Sequence, residues 1–197
     1  MADRRFDSRS KETFKKDIYF GTKLEKYWFD RFLHQCDIRE DIELYSHADN
    51  GVDNDGGFIA SGKTVGADYR VTIEYQDRMH EILPLEMKWV PNGKKFTLKT
   101  GDVKGYLREE AAILFVWNTN SKADLRKPKD YDFEKHVQRI VDNNEYMRWG
   151  IVLPNDLQRM SNDYESEVKP IFYMGNKPGF VIYQENFQEY LTVERFV

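Results

Sequence analysis

The segment Ala112-Ile113-Leu114-Phe115-Val116-Trp117 is an unbroken apolar run, and with Ala111 it is the longest such run in the 197 residues. Successive side chains of a strand point to opposite faces, so a strand made of this run has no polar face. It must be covered on both sides, which is the situation of a central strand in an α/β sheet, next to a parallel neighbour. The run is far too short to cross a membrane. The chain length favours one domain around one core. The expected fold class is therefore α/β, a three-layer α/β/α arrangement on a mixed central sheet. A helix near 22–35 should lie on one face and a helix near 102–110 on the other.

The flanking patterns fill in that frame. Thr22-Lys23-Leu24-Glu25 reads as a capping box at a helix start. Leu24, Trp28 and Phe32 then recur at helical spacing to about Gln35. Ile38 to Ser46 alternates loosely and reads as a strand. Gly66 to Tyr75 has a clear period of two, with Asp68, Arg70, Thr72 and Glu74 on one face. Glu81 to Val90 is the next strand, closed by the turn signal Pro91-Asn92-Gly93. Asp102 is suited to cap a short helix carrying Val103, Tyr106 and Leu107. Further on, Phe133, Val137, Ile140 and Val141 mark a helix. Trp149 to Leu153 reads as a strand stopped by Pro154. Ile171 to Met174 and Phe180 to Tyr183 read as a hairpin. We expect a basic N-terminal arm over 1–16 and a single domain over 17–197, with a core at about 20–118 and a C-terminal elaboration at 119–197.

Composition excludes several functions. The net charge of −4 gives no global attraction to a polyanion, so any nucleic-acid role must rest on local basic patches. The single cysteine, Cys36, allows no disulfide within the chain and suits a reducing compartment. The first residues, Met1-Ala2-Asp3-Arg4-Arg5, lack the apolar region of a signal peptide. These readings predict a soluble cytoplasmic protein with no membrane partner. His34, His47, His80 and His136 show neither metal-ligand spacing nor a Ser or Cys partner, so nucleophilic catalysis has no support. Asp49, Asp53 and Asp55 resemble a calcium loop only superficially, because the closing acidic ligand is missing. Gly57 to Thr64 fits the spacing G-x-x-x-x-G-K-T. It fails on context, because a phosphate loop needs a buried strand before it and a helix after it.

The segment that carries chemistry is Leu85-Glu86-Met87-Lys88-Trp89. Glu86 and Lys88 share one face of the strand, and Leu85, Met87 and Trp89 share the other. The flanks Ile82, Pro84 and Val90 are apolar, so two opposite charges sit on an otherwise buried strand. Buried charge is costly unless it is paired or bound to metal. Asp68, on the preceding antiparallel strand, falls roughly across from positions 86–88. Two carboxylates so placed form an oxygen-ligand site for Mg²⁺.

Val65-Gly66-Ala67-Asp68-Tyr69 followed by Leu85-Glu86-Met87-Lys88-Trp89 resembles the signature of the PD-(D/E)XK nuclease superfamily, over about residues 20–118. Ala67 stands where that signature often has proline. The resemblance implies a restriction-endonuclease-like core and hydrolysis of phosphodiester bonds in DNA with Mg²⁺ or Mn²⁺. It further implies Asp68 and Glu86 as metal ligands together with the Met87 carbonyl, and Lys88 acting on the attacking water. Gly21-Thr22-Lys23-Leu24-Glu25 resembles the first-helix Gly-x-x-x-Glu of Holliday-junction resolvases, which would add Glu25 to the site; its capping role stands beside this. A homodimer is compatible with the resemblance. The other reading from the same residues is a non-cleaving module of the same fold that binds nucleic acid or protein.

Two basic stretches are candidates for substrate contact. Lys94, Lys95, Lys99 and Lys104 follow the Glu86–Lys88 strand. Lys122, Arg126, Lys127 and Lys129 follow the apolar run. A solubilising surface explains either stretch equally well, since lysine is mostly exposed.

Overall fold

The computed structural model describes residues 10–37, 43–47, 67, 69–74, 80–172, 176–191 and 194–196. The chain enters its first helix at Ser10, whose hydroxyl accepts a hydrogen bond from the Thr13 amide at 3.1 Å. That bond satisfies one of the donors every helix start leaves free. The helix, α1, spans Lys11–Asp37. The start expected at Thr22 is thus corrected: Thr22 and Glu25 lie inside the helix, and Ser10 supplies the cap. Lys15 and Lys16 of the expected basic arm are helical too, while residues 1–9 lie outside the described residues. Phe20, Leu24, Trp28, Phe32 and Cys36 form a buried row at four-residue spacing, one continuous stripe along the helix.

The strands β1 (Glu43–His47), β2 (Tyr69–Glu74) and β3 (His80–Val90) form an antiparallel meander. After β4 (Lys95–Lys99) and α2 (Thr100–Arg108), the chain returns as β5 (Ala112–Asn118), parallel to β3. Then follow α3 (Phe133–Val141), β6 (Met147–Val152), α4 (Pro154–Asp163), β7 (Lys169–Ile171), β8 (Lys177–Tyr183), α5 (Gln184–Phe187) and β9 (Glu194–Arg195). The main sheet has the order β1-β2-β3-β5-β6-β9, and a smaller one has the order β4-β8-β7. The architecture is mixed α/β, with a sheet of parallel and antiparallel strands.

Strand β5 behaves as its sequence requires, with every residue buried. Ala112, Leu114 and Val116 join the cluster containing Leu24, Trp28 and Phe32 of α1 and Ile140 of α3. Ile113, Phe115 and Trp117 join a second cluster with Val103 and Tyr106 of α2, Leu157 and Met160 of α4, and Phe96 and Phe180 of the small sheet. The alternation of one strand thus separates two cores, and the main sheet is covered on both faces.

One local expectation is revised, and the structure adds two further details. Helix α2 begins at Thr100 with Lys99 at its cap position and no side-chain cap. Asp102 sits instead in its first turn, 3.4 Å from the Lys99 ammonium. Pro154 does end β6, but it also starts α4, where its missing N–H removes nothing from the ladder. Residues 95–99 form a strand that pairs with β8, so that Phe96 stacks on Phe187 at 3.8 Å. The calcium-like and phosphate-loop-like segments, residues 49–64, lie outside the described residues.

Candidate active site

Strand β3 divides its side chains as its alternation predicts. Leu85 and Met87 are buried against the α1 side, and Trp89 stacks on Trp28 at 4.9 Å. Glu86 faces α2 and is only 4% exposed. Its Oε1 accepts from the Tyr106 hydroxyl at 2.7 Å and from the Lys88 ammonium. The Lys88 ammonium also lies 5.3 Å from the centre of the Tyr106 ring. Leaving a carboxylate unpaired at such a position costs several kcal/mol, so the lysine and the phenol are what make Glu86 tolerable there.

The electrostatics follow from this crowding. Burial pushes the Lys88 ammonium toward losing its proton, but the adjoining Glu86 carboxylate and Tyr106 more than offset it, and the net shift is upward. Lys88 therefore stays a cation. Burial raises the Tyr106 phenol, against the pull of Lys88, so it keeps the proton it donates to Glu86.

Glu25 approaches from α1. With Gly21, Leu24, Met87, Lys88 and Trp89 it lines a cavity of about 230 Å³. Burial, aided by the negative charge of Glu86 and opposed by Lys88, pushes its carboxyl up to about 7. The Glu25 carboxyl thus senses both charges of the Glu86–Lys88 pair. A Cβ at Gly21 would meet nothing within 4 Å, so the space beside the helix is open there.

Asp68 lies outside the described residues, but its chain neighbours are fixed. The Ala67 amide donates to Glu109 Oε2 at 2.9 Å, just past the end of α2. Tyr69 pairs with Leu85 and stacks on Phe29 with ring centres 3.9 Å apart. The β2–β3 ladder ends at that pair, while β3 continues to Val90. Beyond Leu85, the β2 side of β3, including the Met87 backbone, has no strand partner among the described residues.

The expected substrate lysines sit elsewhere. Lys95 and Lys99 belong to β4 of the small sheet, and Lys95 lies over the Tyr183 ring. Lys94 precedes that strand, and Lys104 is exposed on α2. None of the four lines the cavity of Glu25 and Lys88. Tyr106 and Glu109 are site neighbours that the sequence patterns do not single out. Tyr106 is visible there only as an apolar position of a helix, although a buried strand glutamate requires a donor from somewhere.

As for a metal, no group of three or more His, Cys, Asp or Glu side chains among the described residues is placed to hold one. Two described carboxylates, Glu86 on the α2 side of β3 and Glu25 on α1, are close enough for their charges to interact. Tyr106 and Lys88 both bond Oε1 of Glu86, and no described residue bonds Oε2. Carboxylate oxygens are donors of the kind suited to a hard divalent cation, and Asp68, the other expected ligand, lies outside the described residues. No described helix is long and apolar enough to cross a membrane. The chain matches no protein-family model, no curated protein and no solved structure.

Proposed function

We propose that this chain is a divalent-metal-dependent nuclease of the PD-(D/E)XK kind, acting on DNA, on a three-layer restriction-endonuclease-like core. The observation that carries the reading is the ion pair of buried Glu86 with half-buried Lys88 on an interior strand, with Glu25 of α1 lining one cavity with Lys88. Glu86, the Met87 carbonyl and Asp68 would hold Mg²⁺ or Mn²⁺, with Glu25 alongside. The cation, when bound, would supply an activated water and offset the negative charge of the phosphate.

The protein's own groups divide the remaining work. Lys88 keeps its proton, so it serves as a fixed cation that orients the attacking water and stabilises charge building on the phosphate oxygens. Tyr106 holds the Glu86 carboxylate in one orientation, leaving Oε2 as the free face.

One observation favours a second reading. Glu86, Lys88 and Tyr106 already satisfy one another, as in a structural ion pair of a non-cleaving module. Purified protein should be incubated with single-stranded, duplex and branched DNA in Mg²⁺ or Mn²⁺. Lys88→Ala should abolish cleavage while retaining metal binding, and Asp68→Ala should lose both. Replacing the pair together, Glu86→Leu with Lys88→Met, should leave stability unchanged or raise it by about 1–4 kcal/mol while eliminating cleavage. Absence of cleavage by the wild type, or cleavage that persists in EDTA, would sink the nuclease reading.

A further inference from the structure

A second cavity, of about 570 Å³, lies between the loop after β5 and helix α3. Its walls carry five cations, Arg126, Lys127, Lys129, Lys135 and Arg139, against two lining carboxylates, Asp124 and Asp130. A third carboxylate, Asp17 of α1, takes Lys127 and accepts from the Tyr131 hydroxyl at 2.6 Å. Five cations against three carboxylates leave an excess of two positive charges in a chain whose net charge is −4. The concentration is local, as the recognition of a polyanion by an acidic protein requires.

The carboxylates do not neutralise the site evenly. Asp124 is engaged by Arg126 through two side-chain bonds of 2.9 Å. Lys135 stands 3.8 Å from Asp130 with both side chains largely exposed, a pairing of little strength. Arg139 donates to the Asp124 carbonyl at 3.2 Å and meets His136 Nδ1 at 2.9 Å, bonds that leave its charge without a directly bonded carboxylate. Its Nε is buried with no hydrogen-bond partner among the described residues, as is Nε2 of His136. The Arg139 guanidinium, with no carboxylate bonded to it among the described residues, lines the cavity with the exposed Lys129 and Lys135, a set of cations suited to a phosphate.

We propose that this cavity binds the terminal phosphomonoester of a nucleic-acid strand whose cleavable bond lies at Glu86 and Lys88; the inference rests on the nuclease reading. The charge fits: a phosphomonoester carries roughly −1.5 to −2 at neutral pH, against about −1 for an internal phosphodiester. The placement fits as well. Asp17, which holds the loop, and Glu25, which lines the other cavity, lie on the same helix, roughly 12 Å apart at 1.5 Å per residue. That is about three to four nucleotides of stacked strand at roughly 3.4 Å each. A strand end seated in the basic cavity would thus set a cleavage position a few nucleotides inward.

The test is binding of the full chain, in EDTA, to one single-stranded oligonucleotide made with a 5′-phosphate, a 3′-phosphate or neither, read by fluorescence anisotropy. One phosphorylated form should bind about tenfold more tightly than the unphosphorylated strand. In Lys129→Gln with Lys135→Gln, both exposed positions, that ratio should fall to near one. Lys169→Gln, on β7, should retain it. Equal binding of all three strands by the wild type overturns the proposal, and so does a ratio that survives the double substitution. Inorganic phosphate or a mononucleotide that binds as tightly as the phosphorylated strand would assign the cavity to a free phosphate compound and overturn the strand-end reading. A parallel cleavage assay in Mg²⁺ separates the two ideas. Cleavage without end preference removes only the cavity, and end preference without cleavage removes only the nuclease.

Discussion

The Tyr106 hydroxyl donates a 2.7 Å hydrogen bond from α2 to Oε1 of Glu86, joining the crossover helix to the strand it leads away from. A bond from a neutral donor to a buried carboxylate is worth about 1.5–3 kcal/mol. Tyr106→Phe keeps the ring that fills the second core and removes only the hydroxyl. It should lower unfolding stability by that amount in urea titration. Cleavage should fall but persist, because Lys88 still holds Oε1. An unchanged urea midpoint would show that the bond carries no energy.

Glu25 gives the protein a pH signature. Its carboxyl is raised from 4.5 to about 7, first by burial and further by Glu86, against the pull of Lys88. Below pH 4.5 both folded and unfolded chains hold this proton, and the group contributes no difference. Between 4.5 and about 7 the unfolded chain releases it while the folded chain keeps it, so stability falls as pH rises through that window. The fall is on the order of 3 kcal/mol before solvent screening reduces it. In metal-free buffer, Glu25→Gln should flatten this part of the stability profile. A wild-type profile that rises between pH 4.5 and 7 after subtraction of the Gln variant would contradict the assignment.

What is local in this fold is legible in the sequence, and what joins distant segments is not. Strand β5 can be read because a run with no polar face has few places to go, and β3 because its alternation isolates Glu86 and Lys88. The small sheet is not legible. Its β4 pairs Lys95 with Tyr183 and Lys99 with Gly179, partners far apart in the chain that no local pattern announces. The start of α1 is misread from sequence because Thr22 and Glu25 have capping chemistry, while the true cap, Ser10, precedes a highly charged first turn with little apolar periodicity. Within the site, the strand charges follow from alternation. The donor that makes Glu86 tolerable comes from a helix face that looks merely apolar.

The Glu109 side chain accepts a hydrogen bond from the amide of Ala67, the residue before Asp68. Glu109→Ala frees that amide without touching the cavity of Glu25 and Lys88. Under the nuclease reading it should weaken Mn²⁺ binding by about tenfold, in line with the loss of an outer-shell partner. Glu109→Gln keeps an acceptor oxygen and should restore most of the affinity. Isothermal titration with Mn²⁺ reads both variants. Equal affinity in wild type and Glu109→Ala would disconnect this hydrogen bond from the metal.

The lysines of β4 and its approach test how duplex DNA would lie on the protein. Lys95 rests over Tyr183, and Lys99 is drawn toward Asp102 at 3.4 Å, so each has a partner to leave before it meets a phosphate. Surface pairs of this kind are weak, and a polyanion competes with them readily. Replacing Lys94, Lys95 and Lys99 together by Gln should weaken binding to every duplex sequence alike. The slope of log affinity against log salt should become shallower by about one unit for each phosphate no longer neutralised. These side chains do not line the cavity at Lys88, so metal affinity should stay at the wild-type value. An unchanged salt slope in the triple variant would exclude β4 from the path of the duplex and leave the cations around α3 as the route for its backbone.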